Sequence, residues 1–254
     1  MPQPSIQALL DSYPRSRPAL NGAQREVLTS AYFENRRAES GVSRVVAFLE
    51  SWMHRAVAAA GSGKAILEIG AGTLNHVRYE SGYAVFDAIE PWTALYQGRP
   101  EVAKVRRFYA DISEVPAENS YDKIVSIAVL EHLTDLPFQL ARSGLLLAPG
   151  GIMAAGIPTE GSLSWGIAWR CGTGLLFRLK TGLDYGELMR HEHINSAREI
   201  ELLIRYFYRD VQVRRFPLPV FHMSLYSVLI ARKPDLDACR GVVDVYRRES
   251  PNAL

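Results

Sequence analysis

Residues 66–80 read ILEIGAGTLNHVRYE. An apolar run meets an acid, then two glycines one residue apart, then a polar stretch. A buried strand that turns sharply into a helix around a nucleotide-like ligand has this pattern. The glycines let the backbone pass close to the ligand, and the start of the following helix offers free N–H groups. In an open parallel sheet such a loop lies at the carboxyl ends of the strands, where strand order reverses. The stretch therefore predicts a first strand over AILEI and a ligand loop from Gly70 to Asn75.

The flanking sequence fits a sheet of that kind. KAILEIG, YAVFDAIE, VRRFYADI, DKIVSIAVL and GIMAAGIP are short apolar runs that read as strands. LTDLPFQLARSGLLLAP reads as a helix, and so does NSAREIELLIRYF, where Ser196 and Glu199 form a capping box ahead of Ile200, Leu203, Ile204 and Phe207. Buried strands alternating with helices imply crossover connections. RDVQVRRF and LYSVLIARK read as two strands joined by a Pro-containing hairpin loop. The expected fold is α/β and doubly wound: a mostly parallel seven-stranded sheet with a final antiparallel strand, plus N-terminal helices. In those helices Asn21 and Gln24 form a second capping box. Val27, Leu28, Ala31 and Tyr32 make one apolar stripe, and Val42, Val45, Val46, Leu49 and Trp52 make another. The domain plan is a helical extension over 1–62, a core over 63–233 and a tail over 234–254 whose end, RESPNAL, reads as frayed.

The chain has 254 residues, 48% hydrophobic and 22% charged, with a net charge of +2. That composition suits a soluble globular protein, and no basic block asks for nucleic acid. Cys171 and Cys239 are far apart and show no metal-ligand spacing, so they read as free thiols. No secretory signal opens the chain, and no apolar run approaches the roughly 18 residues of a membrane span. The expected location is cytoplasmic.

Glu90 stands 20 residues after Gly70, at the end of the second strand. An acid there accepts hydrogen bonds from two ribose hydroxyls, so the ligand is of adenosine type. A dinucleotide fingerprint needs a third glycine at position 75, where this chain has Asn75. Glu68 would repel a pyrophosphate. It suits a ligand bearing an ammonium or a sulfonium, which favours S-adenosylmethionine over NAD.

Five blocks, ILEIGAGT, AIEPW, YADISEVP, YDKIVSIAVLEHL and LLLAPGGIMAAGIP, stand in an order and at separations that resemble the class I S-adenosylmethionine-dependent methyltransferases. The resemblance covers residues 63–232. It implies that Glu68, Gly70, Ala71, Gly72 and Thr73 surround the methionine end of the cofactor. Glu90, with Pro91 and Trp92 behind it, would hold the ribose, and Trp92 either lines the adenine pocket or packs. Asp111 and Ile112 would hold the adenine, and the backbone at Ala128 and Val129 would pass beside the cofactor. APGG would be the turn before the fifth strand. Leu74 stands where the family has a further glycine, so Asn75 or His76 becomes the group expected near the cofactor carboxylate.

Glu131 and His132 follow the fourth strand, where an acceptor would meet the methyl group. His132, His193 and His191, in that order, are the candidate bases, and a histidine that only orders its loop is the alternative. In a strand-like RHEHIN, His191 and His193 would point the same way. Two ligands do not define a metal site, and a third, His222 or Glu131, would have to come from elsewhere, so no metal is expected. Residues 159–195 exceed the usual two to six or so of a strand-to-helix loop. They mix Trp165, Trp169 and Phe177 with Arg170, Arg178, Lys180 and Arg190. That mixture suits a substrate lid that grips a sugar, a phosphate-bearing carrier or a membrane surface.

The expected activity is methyl transfer to oxygen on a small molecule: a sugar, a polysaccharide precursor or a secondary metabolite. A nucleic-acid or protein methyltransferase, an NAD-dependent oxidoreductase and a non-catalytic cofactor- or partner-binding module are the rivals. A homodimer and peripheral membrane contact through 159–190 are compatible with the sequence.

Overall fold

The computed structural model describes residues 5–22, 24, 25, 27, 44–171 and 173–249. Seven strands make one sheet: β1 (Ala65–Ile69), β2 (Val85–Ile89), β3 (Arg107–Tyr109), β4 (Tyr121–Ile127), β5 (Leu147–Pro158), β6 (Tyr208–Pro217) and β7 (Ser224–Pro234). Their order is β3-β2-β1-β4-β5-β7-β6. Neighbours among the first five are parallel, and β7 runs antiparallel to both β5 and β6. The mostly parallel sheet with its closing antiparallel strand is as the sequence predicts. Order reverses between β1 and β4, so the ligand crevice lies at their carboxyl ends.

Two apolar layers cover the sheet. On one face Ile69, Ile124, Met153 and Leu229 meet α3 (Leu136–Leu146), α7 (Ala197–Phe207) and α8 (Leu236–Glu249). The buried side of α7 is Ile200, Leu203, Ile204 and Phe207, and Ser196 with Glu199 closes the capping box at its start. The helix α8 went unassigned from sequence. Asp235 caps it, Cys239 and Val243 are buried, and Tyr246 stacks on Phe138 at 5.0 Å. Cys239 is a free thiol. On the other face Ile66, Phe86, Val125 and Ile230 meet α2 (Arg44–Ala58) through Val57. Asn21 and Gln24 exchange reciprocal cap hydrogen bonds of 2.8 and 2.9 Å. Leu28, Ala31, Tyr32, Val42 and residues 250–254 lie outside the described residues.

The sharpest departure from the sequence reading follows β1. The expected helix after Gly70 does not form, and residues 70–84 run as consecutive turns. Gly70, Gly72 and Leu74 all have positive φ, at 69°, 51° and 62°. Three left-handed residues at alternate positions cannot start a right-handed helix. For Leu74 that conformation costs about 1–2 kcal/mol, offset by full burial of its side chain, which contributes roughly 1.5–3 kcal/mol. Leu74 and Val77 thus fill the core space the helix would have filled, beside Val57 of α2.

APGG is likewise not a turn ahead of β5 but a bulge inside it. Tyr121 pairs with Leu147 and Lys123 with Ile152, so β5 gains extra residues there. The insertion at 159–195 forms α4 (Leu163–Cys171), α5 (Thr173–Thr181) and α6 (Tyr185–Glu192). At the N-terminus, α1 (Ile6–Leu10) leads into a segment that crosses to the chain around residues 191–199.

Candidate active site

The loop after β1 is tied to its neighbours by backbone hydrogen bonds. Gly70 and Ala71 donate to the Ile89 carbonyl at 2.9 and 3.1 Å. Glu90 accepts from the Gly72 N–H at 2.8 Å and the Trp92 N–H at 3.0 Å, one on each oxygen. The acid expected to hold a ribose therefore also holds the glycine loop. Each carboxylate oxygen keeps a second lone pair for a hydroxyl.

Two cavities meet along Gly70, Ala128, Val129 and His132. One, of about 690 Å³, is lined by Glu90, Pro91, Trp92, Asp111, Gln139 and Arg17, among others. It has the size and polarity for a nucleoside. Asp111 caps the turn at 112–114 through the Ser113 N–H and accepts from Gln139 Nε2 at 3.1 Å. Trp92 stands on the pocket wall, nearly half exposed. Ile112 departs from expectation, because its side chain is wholly buried in the core and it does not line the cavity. Ala128 has a φ of 54° and donates its N–H to the Gly156 carbonyl at 2.8 Å, which turns the chain sharply out of β4.

The second cavity, about 710 Å³, is lined by Glu68, Ala71, Gly72, Thr73, Asn75, Arg78, Glu131, His132, His193 and Trp165, among others. Glu68 is buried, and its Oε2 has no partner among the described residues. Burial first, then the charges of Glu80 and Glu90, push its carboxyl well above the usual range. A cationic ligand group would relieve all three. That fits the methionine end of S-adenosylmethionine. The exposed Asn75 and Arg78 stand on the same wall, and Arg78 is a cation that the sequence reading missed. His76 does not reach the cavity with a free nitrogen. It is fully buried, with Nε2 2.9 Å from Glu80 Oε1 and Nδ1 3.1 Å from His54 Nδ1. Glu80 also accepts from Lys123 Nζ at 2.6 Å.

Of the three candidate bases, the structure brings two together. His132 and His193 meet edge to face with ring centroids 4.7 Å apart, and Glu131 completes the group. His191 stands apart from them. RHEHIN is not strand-like: His191 stands in the last turn of α6, with Nδ1 donating to the Pro18 carbonyl at 2.6 Å, and His193 is the cap residue beyond the helix. His222 lies elsewhere, 3.2 Å from Arg198. His132 Nδ1 donates to the Glu192 carbonyl at 2.8 Å. His193 Nδ1 lies 3.0 Å from Glu160 Oε1, angled off a good hydrogen bond. Burial alone would lower His193, but Glu160 and Glu131 outweigh it and hold the imidazole above its ordinary range. Burial pushes Glu131 up to about 7. Trp165 lines the cavity and stands edge-on to Tyr226 at 5.8 Å.

A family model described as a methyltransferase domain matches residues 38–204. Three solved structures illustrate the likeness of fold. The first is an S-adenosylmethionine-dependent methyltransferase, possible histamine N-methyltransferase, from Thermotoga maritima. It is 14% identical over 83% of this chain and 97% of its own, with a TM-score of 0.55. The N-methyltransferase NodS from Bradyrhizobium japonicum WM9, with S-adenosyl-L-homocysteine bound, is 15% identical over 84% and 98%, at 0.54. An O-methyltransferase family protein from Burkholderia thailandensis is 13% identical over 90% and 67%, at 0.54. No curated protein matches the sequence.

Proposed function

Since this chain belongs to the methyltransferase-domain family and is an S-adenosylmethionine-dependent methyltransferase, we propose that it methylates an oxygen of a small molecule, such as a sugar, a polysaccharide precursor or a secondary metabolite. The observation that carries the oxygen assignment is the group of buried Glu131 with half-buried His132 and His193, which lines the same cavity as Glu68 and the glycine loop. The structurally similar proteins include both N- and O-methyltransferases, so the acceptor atom is taken from the site's own chemistry.

S-adenosylmethionine supplies a methyl already activated on a sulfonium, which departs as the carbon–sulfur bond breaks. The chain's residues bind and align. Glu90 receives the ribose hydroxyls, with Asp111 at the adenine end, and Glu68 faces the cationic end. Ala128 and Val129 bring the backbone of β4's end alongside. Alignment of acceptor and methyl can contribute about 7–11 kcal/mol of the barrier reduction. An amine acceptor needs no base. A hydroxyl loses a proton as the new bond forms, and Glu131, His132, His193 and Glu160 are the groups set beside it for that purpose. His191 is left to position the wall through Pro18.

The first test is calorimetric titration with S-adenosylmethionine, NAD serving as control, followed by release of S-adenosylhomocysteine against sugar, polyol and phenol acceptors. Turnover with a hydroxyl acceptor that falls at least tenfold in His132→Ala supports the proposal. Turnover confined to amines would overturn the oxygen assignment.

A further inference from the structure

We infer that Glu131, His132 and His193 form a binding site for one divalent transition-metal ion at the acceptor end of the cavity. The inference rests on the proposed function for the location of the acceptor. Each of the three offers one ligand atom, and these atoms lie within 4.8 Å of one another. Ligands about 2.1 Å from an ion stand roughly 3.4 Å apart in a tetrahedral site, so small side-chain rotations close the set.

Three further features point to an ion. The first is Glu131 Oε2, which has no hydrogen-bond partner among the described residues although the side chain is 2% exposed. A buried oxygen without a hydrogen-bond partner costs free energy, and a metal ion would satisfy it. The second is the tautomer of His132. Its Nδ1–H is committed to the Glu192 carbonyl, which makes Nε2, on the side of Glu131, the lone-pair nitrogen. A backbone carbonyl behind an imidazole is the usual support for a metal-bound histidine. The third is pre-organisation. The two segments that carry the ligands are stapled by main-chain bonds, with the Ile194 and Asn195 N–H groups donating to the Glu131 carbonyl at 2.9 and 3.1 Å. Asn195 Nδ2 adds a bond to the Leu130 carbonyl at 2.8 Å. Glu131, His132 and His193 are therefore held together by backbone, independently of any interaction among their own side chains.

Two imidazoles and one carboxylate with an open side suit zinc and, equally, ferrous iron or manganese. The open side is the cavity. A hydroxyl acceptor bound to the ion there would lose its proton more readily, with Glu160, beside His193, as the proton's destination. The oxygen then takes the methyl.

The test uses full-length, untagged protein, stripped with chelator and titrated with Zn²⁺, Mn²⁺ and Mg²⁺ by calorimetry. Co²⁺ is added separately for its visible spectrum. The expected result is one ion per chain at micromolar affinity or tighter, nitrogen-ligated Co²⁺ bands, and at least tenfold weaker binding in Glu131→Gln and in His193→Asn. Absence of saturable binding to the wild type, or equal binding by folded variants, overturns the inference. Should the variants fail to fold, the wild-type Co²⁺ spectrum decides: bands of the aqueous ion alone count against the site. Titration of the same samples with S-adenosylmethionine reports separately on the methyltransferase reading, so either can fail without the other.

Discussion

Arg15 Nη2 lies 2.7 Å from Glu199 Oε1, although 184 positions separate the two residues. Glu199 is at the same time the capping-box acid of α7, accepting from the Ser196 N–H and Oγ. Arg15 also donates to the Ile194 carbonyl, and Tyr13 Oη donates to Asn195 Oδ1 at 2.7 Å. Arg17 continues the line to the His132 carbonyl at 3.0 Å. The N-terminal segment is thus a strap over the stretch that carries His193.

Removing the strap's anchor should loosen that stretch. Arg15→Ala is expected to lower stability by about 2 kcal/mol, the scale of charge-assisted hydrogen bonds. Burial alone would raise the Glu199 carboxyl, but Arg15 and Ser196 outweigh it and hold it below its ordinary 4.5. A depressed carboxyl contributes stability that is present above its unfolded pKa and is lost as pH falls through the folded value. Urea unfolding should therefore show the gap between wild type and Arg15→Ala at neutral pH and a narrower gap below pH 4.5. A gap that does not change with acid would mean the pair contributes nothing.

Glu90 ties the glycine loop to the chain after β2 by accepting from the Gly72 and Trp92 N–H groups. Glu90→Ala removes the loop's anchor and, with it, the acceptors proposed for the ribose. Affinity for S-adenosylmethionine should fall at least tenfold, about 1.4 kcal/mol, in calorimetry. Glu90→Gln keeps one acceptor oxygen and should lose less. Equal affinity for wild type and Glu90→Ala would remove Glu90 from the site.

The two loop glycines should respond differently to a methyl group. A Cβ on Gly70 would lie 2.4 Å from Val129 Cγ2, at a φ of 69°. A Cβ on Gly72 meets nothing within 4 Å, so only its φ of 51° opposes it. Gly72→Ala should cost about 1–2 kcal/mol and keep cofactor affinity. Gly70→Ala has to displace Val129, which lines both cavities, and should lower melting temperature and affinity together. Matching behaviour of the two variants would mean that backbone conformation, not the approach of Val129, decides.

The sequence made the sheet legible because each buried strand is a short apolar run, and the capping boxes at Asn21 and Ser196 sit at fixed spacing. Helix α8 carried a signal as well: Asp235 stands at the N-cap, ahead of Cys239, Val243 and Tyr246 on one face. The loop after β1 was misread because a Leu in left-handed conformation leaves no trace in composition, and its core burial becomes visible only beside Val57. The same limit hid the acceptor end. Glu131 and His132 are adjacent in sequence, but Glu160 and His193 join them by packing across the insertion, and no periodicity encodes such a meeting. Lys123, a charge inside the apolar run DKIVSIAVL on which the sequence reading was silent, is fully buried against Glu80.

That buried pair stands beside two imidazoles, His76 and His54, that resist protonation. Lys123 and Glu80 are 0% and 3% exposed and 2.6 Å apart. Lys123→Met strands the Glu80 carboxylate and should cost about 3–5 kcal/mol. Adding Glu80→Gln should recover part of the loss. Glu80 accepts from His76 Nε2–H, so the neutral His76 ring presents Nδ1 as acceptor to His54 Nδ1–H. Burial first, then the neighbouring His76 and Arg78, push His54 down to about 3. Burial also lowers His76, although Glu80 opposes it. The unfolded chain takes up protons on both imidazoles below about pH 6.5, while the folded chain resists. The contribution of these two imidazoles should accordingly be level above pH 6.5 and fall as pH drops toward 5, by up to about 1.4 kcal/mol per pH unit for each resisting imidazole, against the opposite slope from Glu68, Glu131 and His193, whose protonated forms the fold favours. His54→Phe should make that slope shallower in urea titrations between pH 5 and 7. An unchanged slope would show that His54 takes up its proton in the folded protein as readily as in the unfolded one.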